Sequence, residues 1–228
     1  MQNILLIEDD PDITKLINLH FDETQYKITS CITCEEGLRY FTANQYHLII
    51  LDISLPDGNG MELCKKIRAT DVHTPLMMLT CHAEESDKVL ALELGADDYV
   101  TKPFGILELM ARVKAIMRRS TQLKEELVNK EIIIGELMLD PDKRKVCLHE
   151  KRLELTVKEF DLLWLLASNP GKTFSRKDLL EKIWGFAFSG YEHTITSHIN
   201  RLRLKLESDL NNPKFILTAW GTGYRFAE

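Results

Sequence analysis

The chain has 228 residues, 44% hydrophobic and 28% charged, the balance of an ordinary globular protein with one large domain or two smaller ones. No apolar run approaches the ~18 residues that span a bilayer, and the opening MQNILLIEDD lacks a basic leader, so a cytoplasmic protein with no membrane association is expected. The net charge of −6 argues against a nucleic-acid binder as a whole, but it is unevenly spread: 12 Lys+Arg face 19 Asp+Glu over residues 1–120 (−7), against 17 and 16 over 121–228 (+1).

The first half alternates short apolar runs with amphipathic stretches. NILLIE, HLIILD, PLMMLT and DDYV read as buried parallel strands, with YKITSC as a fifth. Between them ITKLINLHF, EEGLRYF, GMELCKKI, DKVLALEL and ILELMARVKAIMRR carry apolar residues at helical spacing. Five strand–helix units predict an open, doubly wound α/β domain, whose chemistry gathers at the carboxyl ends of the strands. After Arg119 the polar stretch 120–131 reads as a linker or a frayed helix extension. IIIGELML, KVCLH and RLEL follow as short strands. TVKEFDLLWLLASN opens a helix with a capping box at Thr156 and Glu159; SRKDLLEKIW and HTITSHINRLRLKLE are two more; KFILTAWGTGYRFA closes the chain as a hairpin.

At one rim of the first sheet the strand ends carry Glu8-Asp9-Asp10, Asp52, Thr80 and Lys102-Pro103. Carboxylates brought this close need a cation, and Mg²⁺ suits an oxygen-only site that also binds phosphate. Asp52 then serves as a nucleophile toward phosphorus, with Mg²⁺, Lys102 and the Thr80 hydroxyl drawing charge from the phosphoryl oxygens. Five cysteines without a framework spacing fit a reducing compartment. Cys31-x-x-Cys34 has a redox spacing but lies around the second strand, and no second pair completes a zinc site.

The set EDD, LDISLPDGNG, MMLT and YVTKPF resembles the receiver domain of two-component response regulators, over about residues 1–119. The resemblance implies a CheY-like, flavodoxin-like fold and Asp52 as the acceptor of a phosphoryl group from a sensor histidine kinase. It also implies Mg²⁺ held by Asp9, Asp52 and the Ser54 carbonyl, with Glu8 acting through water. Thr80 and Lys102 would touch the phosphoryl group, Tyr99 would be an aromatic switch, and the Lys102–Pro103 bond would be cis. Turnover would be limited to self-phosphorylation and slow self-dephosphorylation at Asp52, so the chain is not expected to be an enzyme. Cys81 departs from the small residue usual after Thr80, and Ser54 and His82 stand where relatives tune dephosphorylation.

In the last long helix Ile195, Ile199, Leu202 and Leu206 form an apolar stripe. The opposite face is read as His193, Ser197, Asn200, Arg201 and Leu204, flanked by Thr196, Arg203 and Lys205, a surface suited to the major groove, and Thr194 is counted with the DNA-binding residues. LTVKEFDLLWLL, SRKDLLEKIWG, HINRLRLKLE and GTGYRF resemble the α+β winged helix-turn-helix effector of the OmpR/PhoB subfamily, over about 132–228. The resemblance implies promoter DNA as partner, a wing carrying Trp220 near the minor groove, and a loop, GFAFSGYE, that can face RNA polymerase. Relatives often place Arg where this chain has His193, Asn200 and Trp220, so modest affinity as a monomer is expected. It implies a phosphorylation-dependent homodimer paired by Lys88 with Glu108, Asp98 with Arg112 and Asp97 with Arg119, around Val89, Leu92 and Met110.

Three other readings share these residues. An aspartyl phosphatase needs a second acid two residues past its nucleophile, where Ser54 stands. A winged helix can dock protein instead of DNA, and a regulator with a vestigial pocket would bind DNA constitutively.

Overall fold

The computed structural model describes residues 1–81, 85–126, 131–184 and 193–228, with the side chains of 85, 86, 88 and 118–126 set aside. The loop at 185–192, His82, and the side chains of Lys88 and Arg119 therefore lie outside the described residues. The chain divides into two compact units, Met1–Met117 and Arg118–Glu228.

In the first unit the order is β1 (Gln2–Ile7), α1 (Pro11–His20), β2 (Tyr26–Cys31), α2 (Cys34–Ala43), β3 (Leu48–Asp52), β4 (Ser54–Leu55), β5 (Gly58–Asn59), α3 (Gly60–Thr70), β6 (Leu76–Thr80), α4 (Glu85–Glu93), β7 (Asp98–Thr101) and α5 (Ile106–Glu126). Five parallel strands pair in the order β2-β1-β3-β6-β7, and YKITSC takes an edge. Alternate residues explain the continuous apolar runs. Ile4 and Leu6 point to one layer with Ile50, Met77, Leu79, α1 and α5; Leu5 and Ile7 point to the other with Leu51, Met78 and α3. Helix starts follow local chemistry: Asp10, Thr33 and Asn59 side chains accept from backbone N–H groups at the starts of α1, α2 and α3. The two-stranded β4–β5 turn was not expected; it folds the loop after Asp52 back on itself.

Past Ser120 the polar stretch continues α5 to Glu126, since it holds strong helix formers and no Gly or Pro. The second unit then runs β8 (Ile132–Ile134), β9 (Leu137–Asp140), β10 (Lys145–Leu148), β11 (Lys151–Leu153), α6 (Val157–Ala167), β12 (Phe174–Ser175), α7 (Arg176–Trp184), α8 (His193–Leu206), β13 (Ile216–Ala219) and β14 (Gly223–Phe226). An antiparallel sheet β11-β10-β9-β8 precedes the helices, and β12-β14-β13 closes the unit. IIIGELML breaks into two strands at Gly135, whose φ of 58° makes the turn. Phe174–Ser175 escaped the sequence reading because its two residues carry no periodicity. It pairs with β14 where Gly223 lies so close that a Cβ would sit 2.0 Å from the Phe174 carbonyl oxygen. One core joins Leu139, Val146, Phe160, Leu163, Ile183, Ile199 and Phe226. Among the described residues no helix is long and apolar enough to cross a membrane.

Candidate functional site

Parallel strands entering one rim deliver their last side chains to the same place. Glu8 follows β1, Asp52 ends β3, Thr80 ends β6, and Lys102 follows β7 with a cis bond to Pro103. The Lys102 N–H donates to the Thr80 carbonyl at 2.7 Å, which fixes the loop that carries the ammonium. Lys102 Nζ donates to Asp52 Oδ2 at 2.6 Å and to Glu8 Oε1 at 2.8 Å, and lies 2.7 Å from Glu8 Oε2. Asp52 Oδ1 accepts from the Ser54 N–H at 3.2 Å.

The three acids of EDD separate by role. Glu8 is buried and Asp9 exposed, and with Asp52 they place one oxygen each within 4.8 Å of the others. Asp10 instead caps α1, accepting from Asp12 and Ile13 N–H groups at 2.8 and 3.3 Å. Burial pushes the Glu8 carboxyl up to about 7, reinforced by the Asp52 charge and opposed by the bond from Lys102. Burial works against the Lys102 charge, but its bonds to Asp52 and Glu8 outweigh that and hold its pKa above the usual lysine value. One ammonium among three carboxylates leaves the cluster short of positive charge. An all-oxygen donor set with an exposed member fits a hydrated hard cation such as Mg²⁺. Thr80 is buried at the same rim. Tyr99 is buried on β7, paired with Met78 two residues before Thr80.

The α4–β7–α5 face differs from expectation. Leu92 is 1% exposed, packed in the core with Met78, Ala96 and Tyr99, so it is no part of a surface. Asp97 is also inside: its Oδ2 accepts from Arg68 Nη2 at 2.8 Å and from the Leu76 N–H at 2.9 Å. Arg68, which also bonds the Gly95, Asp71 and Thr74 carbonyls, gave no signal in the sequence. Within the single chain Arg112 lies 3.3 Å from Asp98 and 2.6 Å from Glu108. Val89 and Met110 are half-buried.

Cys31 ends β2 and Cys34 opens α2, so the pair spans a strand–helix junction after all. Burial pushes the Cys31 thiol up to about 12 and raises that of Cys34, which keeps both protonated and unreactive. The Cys34 and Glu35 N–H groups donate to the Asp57 carboxylate at 2.7 and 3.0 Å, tying α2 to the loop after Asp52.

In the second unit α8 packs against both α6 and α7, so its buried arc is wider than one stripe. The apolar stripe Ile195, Ile199, Leu202 and Leu206 is buried as expected, but Thr194, Ser197 and Arg201 are buried with it, which takes Thr194 off the surface and corrects the placement of Ser197 and Arg201 on the outer face. Arg201 is drawn in by Glu159, with 2.9 Å between Nε and Oε1. Glu159, at 0% exposure, completes the expected capping box with Thr156 and also accepts from Lys205 at 2.7 Å. Arg203 donates to the Ile216 carbonyl and to Thr218 Oγ1, which bolts the β13–β14 hairpin to α8. His193, Asn200 and Leu204 are exposed, and Thr196 is half-buried, accepting from Tyr224 Oη at 3.4 Å. Trp220, at the hairpin tip, is 91% exposed.

Comparison with known proteins follows the same division. The model of the response regulator receiver domain matches residues 4–114, and that of the C terminal of transcriptional regulatory proteins matches 150–226. The uncharacterized transcriptional regulatory protein YclJ of Bacillus subtilis (strain 168) is 42% identical over 227 residues, 99% of each chain. The alkaline phosphatase synthesis transcriptional regulatory protein PhoP of that organism is 39% identical over 233 residues, 100% of this chain and 97% of PhoP. The crystal structure of the response regulator DrrB, an OmpR/PhoB homolog from Thermotoga maritima, aligns over 100% of both chains with a TM-score of 0.53 and 33% identity.

Proposed function

Because this chain is a response regulator of the OmpR/PhoB type, a receiver domain joined to a transcriptional regulatory domain, we propose that phosphorylation of Asp52 by a sensor histidine kinase switches it into a promoter-binding homodimer in the cytoplasm. The observation that carries the reading is the Lys102 ammonium 2.6 Å from a buried Asp52 at a rim of three carboxylates. An Asp52 carboxylate oxygen attacks the phosphorus, the bond from phosphorus to the kinase's histidine nitrogen breaks, and an acyl phosphate forms. Asp9, Asp52 and the Ser54 carbonyl would hold Mg²⁺, with Glu8 acting through water, and the ion supplies positive charge to the phosphoryl oxygens. Lys102, already bonded to Asp52, would supply a second cation to the phosphoryl oxygens, and the Thr80 hydroxyl would donate to another of them.

The new phosphoryl group brings about −1.5 to −2 of charge to a site held by one ammonium. Lys102 and Thr80 re-pair with it, Tyr99 follows Thr80, and the α4–β7–α5 face takes its dimerising state. Half-buried Val89 and Met110 supply the apolar contact, while Glu108, Asp98 and Arg112 exchange their pairing within the chain for pairing across the dimer. Two linked effector units then engage repeated half-sites together, which raises affinity without new contacts per unit. Bound promoter would present the regulator to RNA polymerase.

The test is size-exclusion chromatography with light scattering, with and without Mg²⁺ plus an acyl-phosphate donor or beryllofluoride. A shift from monomer to dimer that vanishes in Asp52→Asn is expected. A dimer in Asp52→Asn equal to wild type would reject the switch, and mass spectrometry locates the phosphoryl group independently.

A further inference from the structure

Helix α8 has three Arg and Lys side chains, and the fold engages all three: Arg201 with Glu159, Arg203 with Ile216 and Thr218, and Lys205 with Glu159 and the Glu154 carbonyl. What α8 presents outward is a stripe at helical spacing, His193, Thr196, Asn200 and Leu204, with Leu204 67% exposed. From Thr196 to Leu204 this stripe runs about 12 Å, or three to four base-pair steps. Its centre is a carboxamide, which offers an acceptor and two donors side by side. Of the four base edges in the major groove, adenine offers the complement, the N7 acceptor beside the N6 donor. Guanine offers two acceptors, O6 and N7, which suit a guanidinium, and here the mid-helix guanidinium is turned into the protein.

We infer that this regulator reads its half-site through Asn200 paired with an adenine, with Leu204 one turn further on against a thymine methyl, in place of an arginine–guanine contact. The inference rests on the proposed DNA-binding role. It adds the chemical identity of the base and the residue that selects it. Fixation of the hairpin to α8 by Arg203 and Tyr224 supports it, because the exposed stripe and the wing then approach one duplex as a single surface.

The experiment uses the full chain, activated with Mg²⁺ and beryllofluoride, to select duplexes from a randomised library, followed by titration of the winning site and of a mixed-sequence duplex. Wild type is expected to fix an adenine at one position of each half-site, and replacing that base weakens binding about 5- to 150-fold. Asn200→Ala loses the preference at that position while the rest of the selected motif stays fixed; Asn200→Arg moves the preference to guanine. A motif unchanged at every position in Asn200→Ala overturns the inference and leaves the DNA-binding reading standing. No enrichment and no retention on mixed-sequence duplex at low salt overturns both.

Discussion

Replacing Glu159 with alanine removes a carboxylate that three residues, the N-cap of α6 and two cations of α8, share. Its Oε2 accepts from the Thr156 N–H at 2.9 Å and Lys205 at 2.7 Å, while Oε1 faces Arg201 at 2.9 Å. Arg201 is 8% exposed, so losing its partner leaves a charge inside the fold, at a cost of about 3–5 kcal/mol. The helix cap adds about 1 kcal/mol. Lys205, a third exposed, swings into water and adds no more than about 1 kcal/mol. The total, about 4–7 kcal/mol, is a large share of the roughly 5–15 kcal/mol that holds a domain together. Arg201→Ala costs less, about 2–3 kcal/mol, because Lys205 still neutralises Glu159. The double variant should cost less than the sum of the two, by about 2 kcal/mol or more. All three tryptophans, Trp164, Trp184 and Trp220, lie in the unit from Arg118 to Glu228, so tryptophan fluorescence in urea reads that unit within the whole protein. With a slope of about 2 kcal/mol per molar, Glu159→Ala should lower the midpoint by about 2 M or more. A loss under about 1 kcal/mol, or strictly additive single variants, would show that the pair behaves as a surface contact and that the reasoning is wrong.

Lys102→Ala is expected to slow phosphoryl uptake from an acyl phosphate about a hundredfold, measured by the mass added to Asp52 over time. An unchanged rate would remove Lys102 from the chemistry. Gly60→Ala puts a methyl group 2.0 Å from the Asp52 carbonyl oxygen, so the receiver should lose about 1–3 kcal/mol in urea followed by circular dichroism, with phosphoryl uptake falling too. Full stability would mean that the loop yields easily. His198 is 0% exposed, donates to the Thr194 carbonyl through Nδ1, and lies against the Trp184 ring with Arg201, Lys158 and Lys205 nearby. Burial, then the Arg201 charge, holds its pKa well below 6.5, so below about pH 6.5 the unfolded chain takes up a proton that the folded one refuses. Its contribution is therefore complete above that pH and is lost as pH falls, by up to about 1.4 kcal/mol per pH unit. The tryptophan-monitored midpoint should drop between pH 7 and 5, and more steeply in wild type than in His198→Gln; equal slopes would refute the assignment.

The periodicity of the sequence carried most of the architecture. Short runs apolar at every position, alternating with helical stripes, suit a parallel sheet covered on both faces, and that topology brings Glu8, Asp52, Thr80 and Lys102 to one rim. The rim was thus legible in the sequence, as was the Thr156–Glu159 capping box, because both depend on residue type at a fixed local position. Tertiary structure decided the direction and company of the charged side chains. Asp97 reaches Arg68, 29 residues away, and Glu159 reaches Arg201 and Lys205 from another helix. No local rule distinguishes such an arginine from one that faces DNA. A helical wheel places Arg201 and Ser197 outside the apolar stripe, but α8 lies in a trough between α6 and α7, and the width of that trough sets how much of the wheel is buried. Spacing along the chain orders residues around one element; only packing between elements decides which of them meet water.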